Sequence, residues 1–405
     1  MRITYLHQYF NTPEMSGSTR SYEIARRLVA KGHEVNMVTS WREDSSNREE
    51  FQSLESGIQV HWLPVPYSGR MGYKQRIKSF KLFAQKAAKK AAALPADVIL
   101  ASSTPLTIAL PGAYAAWRRK APMVFEVRDL WPELPIALGV LQNPLLKVAA
   151  RQLERFAYSR SRRIVALSPG MKEGVLKTGY PAEKVTVIPN SSDLELFDPG
   201  RVDRQVFRAK HPELGTAPFI VYTGSIGKIN GVDYLPRIAK AAAKQGFGIQ
   251  FVTVGQGQEE EEVRAEAERL GVLGSNFHMY PPLPKRDMPE VLAAADLALS
   301  LVIDLEALWH NSANKLFDAL AAGTPVAINY GGWQAELLQQ TGAGMVLPQS
   351  DPEEAARRLA GFVQDKSALK AAGQKARELA EERFCRDKLS QEMEKVLLSA
   401  VDSSL

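Results

Sequence analysis

A lysine, an aspartate and two glycines lie close together in residues 311–336, and their types suit the binding of a diphosphate. Lys315 and Asp318 stand near the start of a predicted helix, and Gly331 and Gly332 follow a predicted strand. Backbone N–H groups at a helix start hold anions, and a lysine beside them adds positive charge. Glycines at the end of a strand let a ligand approach the backbone. We therefore predict one nucleotide pocket in this stretch.

The same stretch predicts the elements that position these groups. Apolar residues from Leu316 onward follow a helical spacing, and Ser312 or Asn314 is the expected cap of the helix. The glycine and proline of AAGTP end that helix. Residues 325–329 (PVAIN) then suit a strand that is covered on both faces.

A second phosphate-facing loop is predicted after the strand that begins at Phe219. The sequence FIVYTGSIGKINGVD carries Gly224 and Ser225 where this strand enters a loop, and a helix follows. Lys228 in the loop and Lys315 are the candidate cations. Two cations facing a diphosphate would stabilise the charge that develops as a nucleoside diphosphate departs. Surface exposure is the alternative interpretation of Lys228.

Charged side chains also follow a predicted strand at residues 123–127. Arg128 and Asp129 come directly after it, at the carboxyl end of the strand, which is the usual ligand edge of an open parallel sheet. Asp129 is a candidate to orient an acceptor hydroxyl or to act as a base, and Arg128 to hold it or a sugar carboxylate or phosphate. The alternative is that both residues belong to a structural ion-pair network.

Strands and helices alternate along the whole chain, which predicts an α/β fold with doubly wound parallel sheets. The first unit is a strand at residues 2–7, a loop that ends at Gly17, and a helix at residues 19–31. Such a unit aims backbone N–H groups toward a ligand. Its single glycine is not a dinucleotide-binding fingerprint.

Length and composition predict a two-domain protein of the cytosol. The 405 residues exceed one ordinary hydrophobic core, and the one cysteine, Cys385, excludes an internal disulfide and a cysteine metal cluster. The N-terminus does not resemble a signal peptide. Residues 98–117 carry no charge, but they contain two prolines, so we expect a strand, a loop and a helix there and no transmembrane segment.

Only the first half carries a net positive charge. Residues 1–195 carry 28 Lys and Arg against 17 Asp and Glu, whereas the remainder carries 23 against 28. Lysines and apolar residues alternate in residues 70–90, which suits an amphipathic helix on an anionic membrane surface or a solvated helix face. Nucleic acid is not an expected partner, because no zinc finger, homeodomain or aromatic stacking motif accompanies the charge.

The order NKLFDALAAGTPV, followed by two glycines and a glutamate, resembles the nucleotide-sugar site of retaining glycosyltransferases of family 4. The resemblance is to bacterial O-antigen and capsule enzymes of the L-fucosamine transferase kind, and it extends over nearly the whole chain. It implies the GT-B fold, with two Rossmann-like domains facing a central cleft. Residues 1–195 would bind the acceptor, residues 196–380 the nucleotide sugar, and residues 381–405 would cross back to the first domain.

The resemblance also implies roles for individual residues. Asp129, Arg128 and Lys315 would be catalytic, Asp318 would bind ribose hydroxyls, and Tyr280 would lie at the base. No metal or other cofactor is implied. The nucleotide-sugar-binding residues would be Ser16, Gly17, Gly224, Ser225, Lys228, Tyr280, Asn314, Lys315, Leu316, Asp318, Gly331, Gly332 and Glu336.

The implied reaction transfers a sugar with retention of anomeric configuration. The expected donor is a UDP-linked N-acetylated or 6-deoxy hexosamine, with a GDP-sugar as the alternative. The expected acceptor is a polyprenyl-diphosphate-linked saccharide at the inner face of the cytoplasmic membrane, where the enzyme would be peripherally bound. Two other functions remain open: a nucleotide-sugar epimerase or hydrolase of this fold, and a non-catalytic nucleotide-binding module on the membrane surface.

Overall fold

Alternating strands and helices build both halves of this chain, which a computed structural model describes over residues 1–15, 17–42, 49–68 and 71–402. The chain divides into two units. Unit 1 comprises Met1–Pro189, His310–Ser312 and the segment from Asp387 onward, and unit 2 comprises Asn190–Trp309 and Ala313–Arg386. Both units are α/β, as the sequence predicts.

Unit 1 is built on one sheet. Its elements are β1 (Arg2–Leu6), α1 (Arg20–Ala30), β2 (Glu34–Trp41), β3 (Phe51–Glu55), β4 (Ile58–Pro64), α2 (Tyr73–Ala93), β5 (Val98–Ser102), α3 (Ala109–Arg119), β6 (Met123–Val127), α4 (Glu133–Ala137), α5 (Pro144–Ser159), β7 (Arg163–Ala166), α6 (Pro169–Leu176) and β8 (Val185–Val187). In the described residues the strand order is β3-β4-β2-β1-β5-β6-β7-β8, and every pair is parallel except β3 with β4. β1 and β6 lie on either side of β5, so their carboxyl ends reach the same edge.

Helices cover both faces of this sheet because its central strands are apolar on both sides. All five residues of β5, VILAS, are buried. Phe83 of α2 and Ala115 of α3 pack with Phe125 of β6 on one face. Leu28 of α1 packs with Tyr5 of β1 on the other face.

Unit 2 is built on a second sheet. Its elements are α7 (Gln205–Lys210), β9 (Phe219–Thr223), α8 (Tyr234–Lys244), β10 (Gln250–Val254), α9 (Glu260–Arg269), β11 (Phe277–Tyr280), α10 (Met288–Ala294), β12 (Leu297–Ser300), α11 (Asn314–Ala321), β13 (Val326–Ile328), α12 (Trp333–Thr341), β14 (Gly344–Val346), α13 (Pro352–Gln364) and α14 (Lys366–Arg383). The described strands are all parallel, in the order β11-β10-β9-β12-β13-β14. A crossover between β9 and β12 therefore places the loops after these strands side by side.

The last helix, α15 (Arg386–Asp402), packs on unit 1 and confirms the predicted return of the chain to its first half. Met393 and Leu397 are fully buried against the strands of unit 1. Glu394 accepts hydrogen bonds from Lys31 and from His33, the latter at 2.8 Å. These contacts hold the helix along α1 and the turn that follows it.

The basic segment predicted at residues 70–90 forms most of α2, apart from residue 70, which lies outside the described residues. Its buried apolar side chains form the inward face of a helix packed on a sheet. Phe83 and Ala87 are buried in the core, and Phe80 stacks on Tyr67 with ring centroids 5.9 Å apart. The prediction that apolar residues of this segment are available to a membrane is therefore wrong for Phe83. The exposed side chains of the helix include the lysines Lys74, Lys78, Lys81 and Lys89.

The uncharged residues 98–117 form β5 and most of α3, as predicted. In the part of the chain that the structure describes, none of the helices combines the length and the apolar composition that crossing a bilayer requires.

Candidate functional sites in the two units

In unit 1, the carboxyl ends of β1 and β6 bring His7 and Arg128 together. Arg128 Nη1 donates to His7 Nε2 at 2.9 Å, and His7 Nδ1 lies 2.8 Å from Ser21 Oγ. Because a guanidinium only donates, His7 is neutral and carries its proton on Nδ1. Burial, followed by the charge of Arg128, lowers the pKa of His7 well below its ordinary value. The neutral imidazole thus accepts a hydrogen bond that orients the guanidinium and adds no second positive charge beside it.

Asp129 lies beside this pair at the end of β6. Thr104 Oγ1 donates to Asp129 Oδ2 at 3.2 Å, and the Arg128 backbone N–H donates to Ser103 Oγ at 3.0 Å. Burial raises the pKa of Asp129, although the charge of Arg128 opposes this. A carboxylate with a raised pKa is a better proton acceptor than an ordinary aspartate, which suits the predicted role of a base.

A buried ion pair supports this edge from below. Arg20 of α1 contacts Glu126 of β6 at 2.9 Å, and both side chains are almost fully buried. Arg20 also donates to the carbonyl oxygens of Ile188 and Pro189, at 2.9 and 2.7 Å. Burial alone would raise the pKa of Glu126, but the charges of Arg20 and Arg128 bring it below its ordinary value. The pair joins α1, β6 and the chain after β8.

The loop after β1 requires a glycine at position 17. Gly17 has a φ of +123°, and a Cβ atom there would lie 2.6 Å from the side-chain nitrogen of Asn11. Asn11 in turn donates to the carbonyl oxygen of Ser18 at 3.1 Å. Ser16, the other residue predicted here, lies outside the described residues.

In unit 2, Lys315 of α11 meets the end of β9. Lys315 Nζ lies 2.6 Å from the hydroxyl of Tyr222, which itself donates to the carbonyl oxygen of Ser225 at 2.7 Å. A Cβ atom on Gly224, whose φ is +119°, would lie 3.4 Å from the Lys315 side chain. Two stretches predicted separately, residues 224–225 and residue 315, therefore form one group.

Burial lowers the pKa of Lys315 to about 7. Among the described residues, no carboxylate forms an ion pair with this lysine. An anion that binds beside a desolvated lysine stabilises its charged form, because the attraction between the two charges replaces the lost solvation. This point of unit 2 is therefore suited to a diphosphate.

The loop at Gly224 is held by the neighbouring glycines of β10's exit. The Gly224 backbone N–H donates to Val254 O, and a Cβ atom on Gly255 would lie 1.9 Å from Gly224 O. A Cβ atom on Gly257 would similarly lie 2.1 Å from Ile226 O. Lys228 lies farther along the loop and is exposed.

Asp318 is engaged by the protein itself. Its side chain is 12% exposed, forms an ion pair with Lys285, and accepts a hydrogen bond from Ser192 Oγ at 2.8 Å. The Lys285 ammonium lies 4.9 Å from the ring centroid of Phe197. Sequence reasoning missed Lys285 and Ser192, which lie far from Asp318 along the chain. Any ribose hydroxyl that reaches Asp318 must share it with these two groups.

The start of α11 differs in detail from the prediction. Ala313, with extended backbone, occupies the cap position, rather than Ser312 or Asn314, and the helix begins at Asn314. The Leu316 side chain is fully buried in the core, and its backbone N–H donates to Ala313 O at 3.1 Å. The structure therefore places Leu316 in the packing of the helix.

The predicted glycine loop after β13 packs against an indole ring. A Cβ atom on Gly331 would lie 2.9 Å from the ring of Trp309. Gly332, at a φ of +79°, would place a Cβ atom 2.9 Å from Trp309 O. Glu336 lies on α12 and is exposed. Both glycines thus make room for Trp309, a residue that sequence reasoning did not place here.

Tyr280 ends β11, at the edge of the sheet. Its hydroxyl donates to Glu213 at 2.5 Å, and its ring lies 4.1 Å from that of His211, centroid to centroid. Its carbonyl oxygen accepts a hydrogen bond from the Gly255 backbone N–H at 3.1 Å, which links Tyr280 through the end of β10 to the loop at Gly224. No sequence pattern identifies these two partners, because Glu213 and His211 lie in the connecting segment before β9.

One signal in the sequence did point to residues that were missed. His7 and Tyr222 are polar residues within or directly after apolar strands, where a side chain at the carboxyl end faces the ligand edge. No motif marks Arg20, Glu126 or Lys285. Among the described residues, no group of three or more His, Cys, Asp and Glu side chains is arranged to hold a metal ion.

Two protein families match the two halves of the chain. Residues 17–191 match the family described as glycosyl transferase 4-like domain, and residues 203–379 match glycosyl transferases group 1. WcaL of Escherichia coli (strain K12), assigned as a glycosyltransferase of colanic acid biosynthesis, is 25% identical over 223 residues. The alignment covers 55% of this chain and 52% of WcaL, so the chain spans about half the length of this relative.

Two solved structures share the fold over nearly the whole chain. HepE of Anabaena, in complex with UDP-glucose, matches with a TM-score of 0.73 and 17% identity, over 98% of this chain and 100% of HepE. Sucrose-phosphate synthase of Thermosynechococcus elongatus matches with a TM-score of 0.78 and 14% identity, over 99% of both chains. At such identities the likeness shows the fold alone.

Proposed function

We propose that this chain, which belongs to the glycosyltransferases that carry a 4-like N-terminal domain and a group 1 C-terminal domain, transfers a sugar from a nucleoside diphosphate to a saccharide acceptor. Unit 2 binds the donor and unit 1 binds the acceptor. HepE, which has the same fold, binds UDP-glucose, and this supports UDP as the nucleotide.

The single observation that carries the proposal is the environment of Lys315. Its ammonium lies 2.6 Å from Tyr222, beside the positive-φ glycine Gly224, and has no carboxylate partner among the described residues. A leaving diphosphate gains negative charge in the transition state, and a prepositioned cation lowers the energy of that state. Lys315 is placed for this role.

The reaction proceeds with retention. The bond between the anomeric carbon and the diphosphate oxygen breaks, and its electron pair leaves with the diphosphate. The acceptor oxygen bonds to the same face of the sugar, and its proton passes to the freed phosphate oxygen or to Asp129. The raised pKa of Asp129 and the guanidinium of Arg128 support an acceptor site at the end of β6.

The donor sugar that we favour is an N-acetylated or 6-deoxy hexosamine, and the acceptor a polyprenyl-diphosphate-linked saccharide of bacterial surface polysaccharide synthesis. WcaL, assigned to colanic acid biosynthesis, supports the polysaccharide context. The enzyme then works at the inner face of the cytoplasmic membrane and needs no metal, because the cations of the protein stabilise the leaving diphosphate.

The test begins with thermal unfolding of the full chain in the presence of UDP, GDP and their sugars. A ligand that binds only the folded state raises the melting temperature. We expect UDP to do so in the wild type and not in Lys315→Ala, whereas Lys240→Ala, an exposed lysine on α8, behaves as wild type. The identified donor is then incubated with a lipid-linked saccharide, and the anomeric configuration of the product is read by NMR.

Three results would contradict the proposal. The first is the absence of nucleotide binding. The second is release of free sugar or an epimer with no dependence on acceptor, which would identify a hydrolase or epimerase. The third is UDP affinity that is unchanged by Lys315→Ala, because the predicted pocket would then be idle.

A further inference from the structure

Large apolar side chains are exposed on two neighbouring helices of unit 1, α3 and α5, and on the loop before α5. α3 is in contact with both α2 and α5. The large side chains that it exposes, together with those of α5 and the preceding loop, are Leu110, Tyr114, Trp117, Val140, Leu145, Leu146 and Val148. We call these seven side chains the α3/α5 apolar surface. Trp117 is 70% exposed and Leu145 is 78% exposed.

The orientation of α3 is set by its opposite side. A Cβ atom on Gly112 would lie 2.9 Å from Met123 Sδ and 3.0 Å from Ala101 Cβ, so this glycine lies directly on β5 and β6. Leu110, Tyr114 and Trp117 follow at a spacing that places them together on the other side of the helix. Their exposure is therefore a consequence of how α3 packs.

The charge on α2, α3 and α5 is mostly positive, although Glu133 of the neighbouring α4 is exposed and its charge acts on Glu154 of α5. α2, α3 and α5 carry seven, two and three Lys or Arg residues, and their single acid is Glu154. Glu154 is 4% exposed and so does not offset the outward charge. Arg118 lies 5.9 Å from the ring centroid of Trp117, and Tyr114 lies beside that ring, also at 5.9 Å between centroids.

We propose that the α3/α5 apolar surface inserts into the headgroup region of an anionic lipid bilayer, with the lysines of α2 resting on the phosphates. The inference rests on the proposed function, because a lipid-linked acceptor lies at such a bilayer. Tryptophan and tyrosine suit a boundary that is apolar on one side and wet on the other. Helices with apolar residues beside Lys and Arg bind anionic membranes through both area and charge.

This assignment changes which residues insert. The sequence predicts membrane contact through residues 70–90, but Phe83 and Ala87 of α2 are buried in the core of unit 1. α2 therefore supplies charge, and α3 and α5 supply the apolar contact. An acidic protein partner is disfavoured because it would match the cations but not the seven large apolar side chains. An anionic bilayer offers phosphates to the cations and acyl chains to the apolar side chains.

The test is cosedimentation of the full chain with vesicles of phosphatidylethanolamine and phosphatidylglycerol, in the absence of donor and acceptor. We expect Trp117→Gln and Leu145→Gln each to lower the partition coefficient roughly tenfold. Leu54→Gln is the matched control, because Leu54 is 64% exposed on the edge strand β3 and belongs to none of the three helices, so this change should leave binding unchanged. Lys78→Glu should lower it roughly fivefold on these vesicles and not on phosphatidylcholine alone.

A second readout is independent of affinity. Vesicles with brominated acyl chains should quench part of the tryptophan fluorescence, and Trp117→Phe should remove that quenching. UDP binding is measured on the same variants and should not change, so failure of this proposal is separate from failure of the proposed function.

Two outcomes would overturn the assignment. One is vesicle binding that survives both Trp117→Gln and Leu145→Gln. The other is no vesicle binding by the wild type, with a concentration-dependent dimer in sedimentation velocity that Trp117→Gln abolishes; the α3/α5 apolar surface would then bind a second copy of the chain.

Discussion

Lys315 and Tyr222 form a pair in which the ammonium nitrogen lies 2.6 Å from the phenolic oxygen and 4.0 Å from the ring centroid. Burial raises the pKa of Tyr222, so its hydroxyl remains protonated and donates to Ser225 O. The Lys315 ammonium can therefore form an ion pair with a ligand without first breaking an ion pair within the protein.

Affinity for UDP should depend on pH through Lys315. Because burial lowers the pKa of this lysine to about 7 and a bound diphosphate favours the charged form, binding takes up a proton above that pH. We expect UDP affinity to fall as the pH rises above about 7, and Lys315→Ala to weaken binding roughly 10- to 100-fold. Calorimetry in buffers of different ionisation enthalpy measures both effects. Lys315→Arg should keep most of the affinity and lose the pH dependence.

Without ligand, the contribution of Lys315 to the free energy of unfolding should rise with pH, whereas UDP affinity falls. The pKa of this lysine is about 7 in the folded chain and near 10.5 in the unfolded chain, so the unfolded chain binds more protons between these values. Stability from this group therefore rises with pH across the window. Lys315→Met should raise the melting temperature most below pH 7, and the difference from wild type should shrink toward pH 10.5. A constant difference would contradict the lowered pKa.

Gly255→Ala should disturb the donor site without touching a charged residue. The new Cβ atom would lie 1.9 Å from Gly224 O, so the loop beside Lys315 must shift. We expect a loss of about 1–3 kcal/mol in the free energy of unfolding and weaker UDP binding. Gly248→Ala is the matched control, since a Cβ atom there meets nothing within 4 Å. Equal behaviour of the two variants would show that the close approach is unimportant.

Asp318 should couple to Lys285. Asp318→Asn leaves the Lys285 ammonium, whose side chain is 26% exposed, without its carboxylate, and we expect a loss of about 1–3 kcal/mol in stability. Combining it with Lys285→Met should cost less than the sum of the single changes, which a double-mutant cycle measures.

The proposed ribose contact is tested separately, with UDP and 2′-deoxy-UDP. If Asp318 binds the ribose, wild type should prefer UDP and Asp318→Asn should not. Ser192→Ala removes only the hydroxyl at 2.8 Å and is the control for the intramolecular bond. An unchanged preference in Asp318→Asn would remove the ribose role.

Asp129→Asn should separate activity from stability. If Asp129 takes the acceptor proton, turnover falls roughly 100-fold or more while UDP affinity is unchanged. Burial raises the pKa of Asp129 above its ordinary 3.8, so its contribution to stability is lost as the pH rises through the folded pKa. The neutral asparagine should therefore melt no lower than wild type at neutral pH. Full turnover by this variant would exclude Asp129 as the base.

The sequence predicts the α/β architecture well because buried parallel strands and amphipathic helices have distinct periodicities. β5 and β9 are continuous apolar runs, and both form central strands. The three-residue strand β14 was not predicted, since so short a run carries no periodicity.

The candidate sites were predictable only where the participating residues are neighbours in sequence. Arg128 and Asp129 follow one strand, but the pairing of Arg128 with His7 spans 121 positions and depends on the order of strands in the sheet. The same holds for Lys285 and Asp318. A helical pattern such as that of α2 likewise states that an apolar face exists, without saying whether it meets the core or a membrane.

The return of α15 to unit 1 makes the folding of that unit depend on a segment that is translated after unit 2. Met393, Leu397 and Ala400 belong to the same core as β1, so β1 lacks part of its packing until these residues emerge from the ribosome. At 5–20 residues per second, translating the intervening unit 2 takes roughly 10–40 seconds. During that interval the nascent first unit exposes an apolar face, and chaperones that recognise such faces on nascent chains have time to bind it.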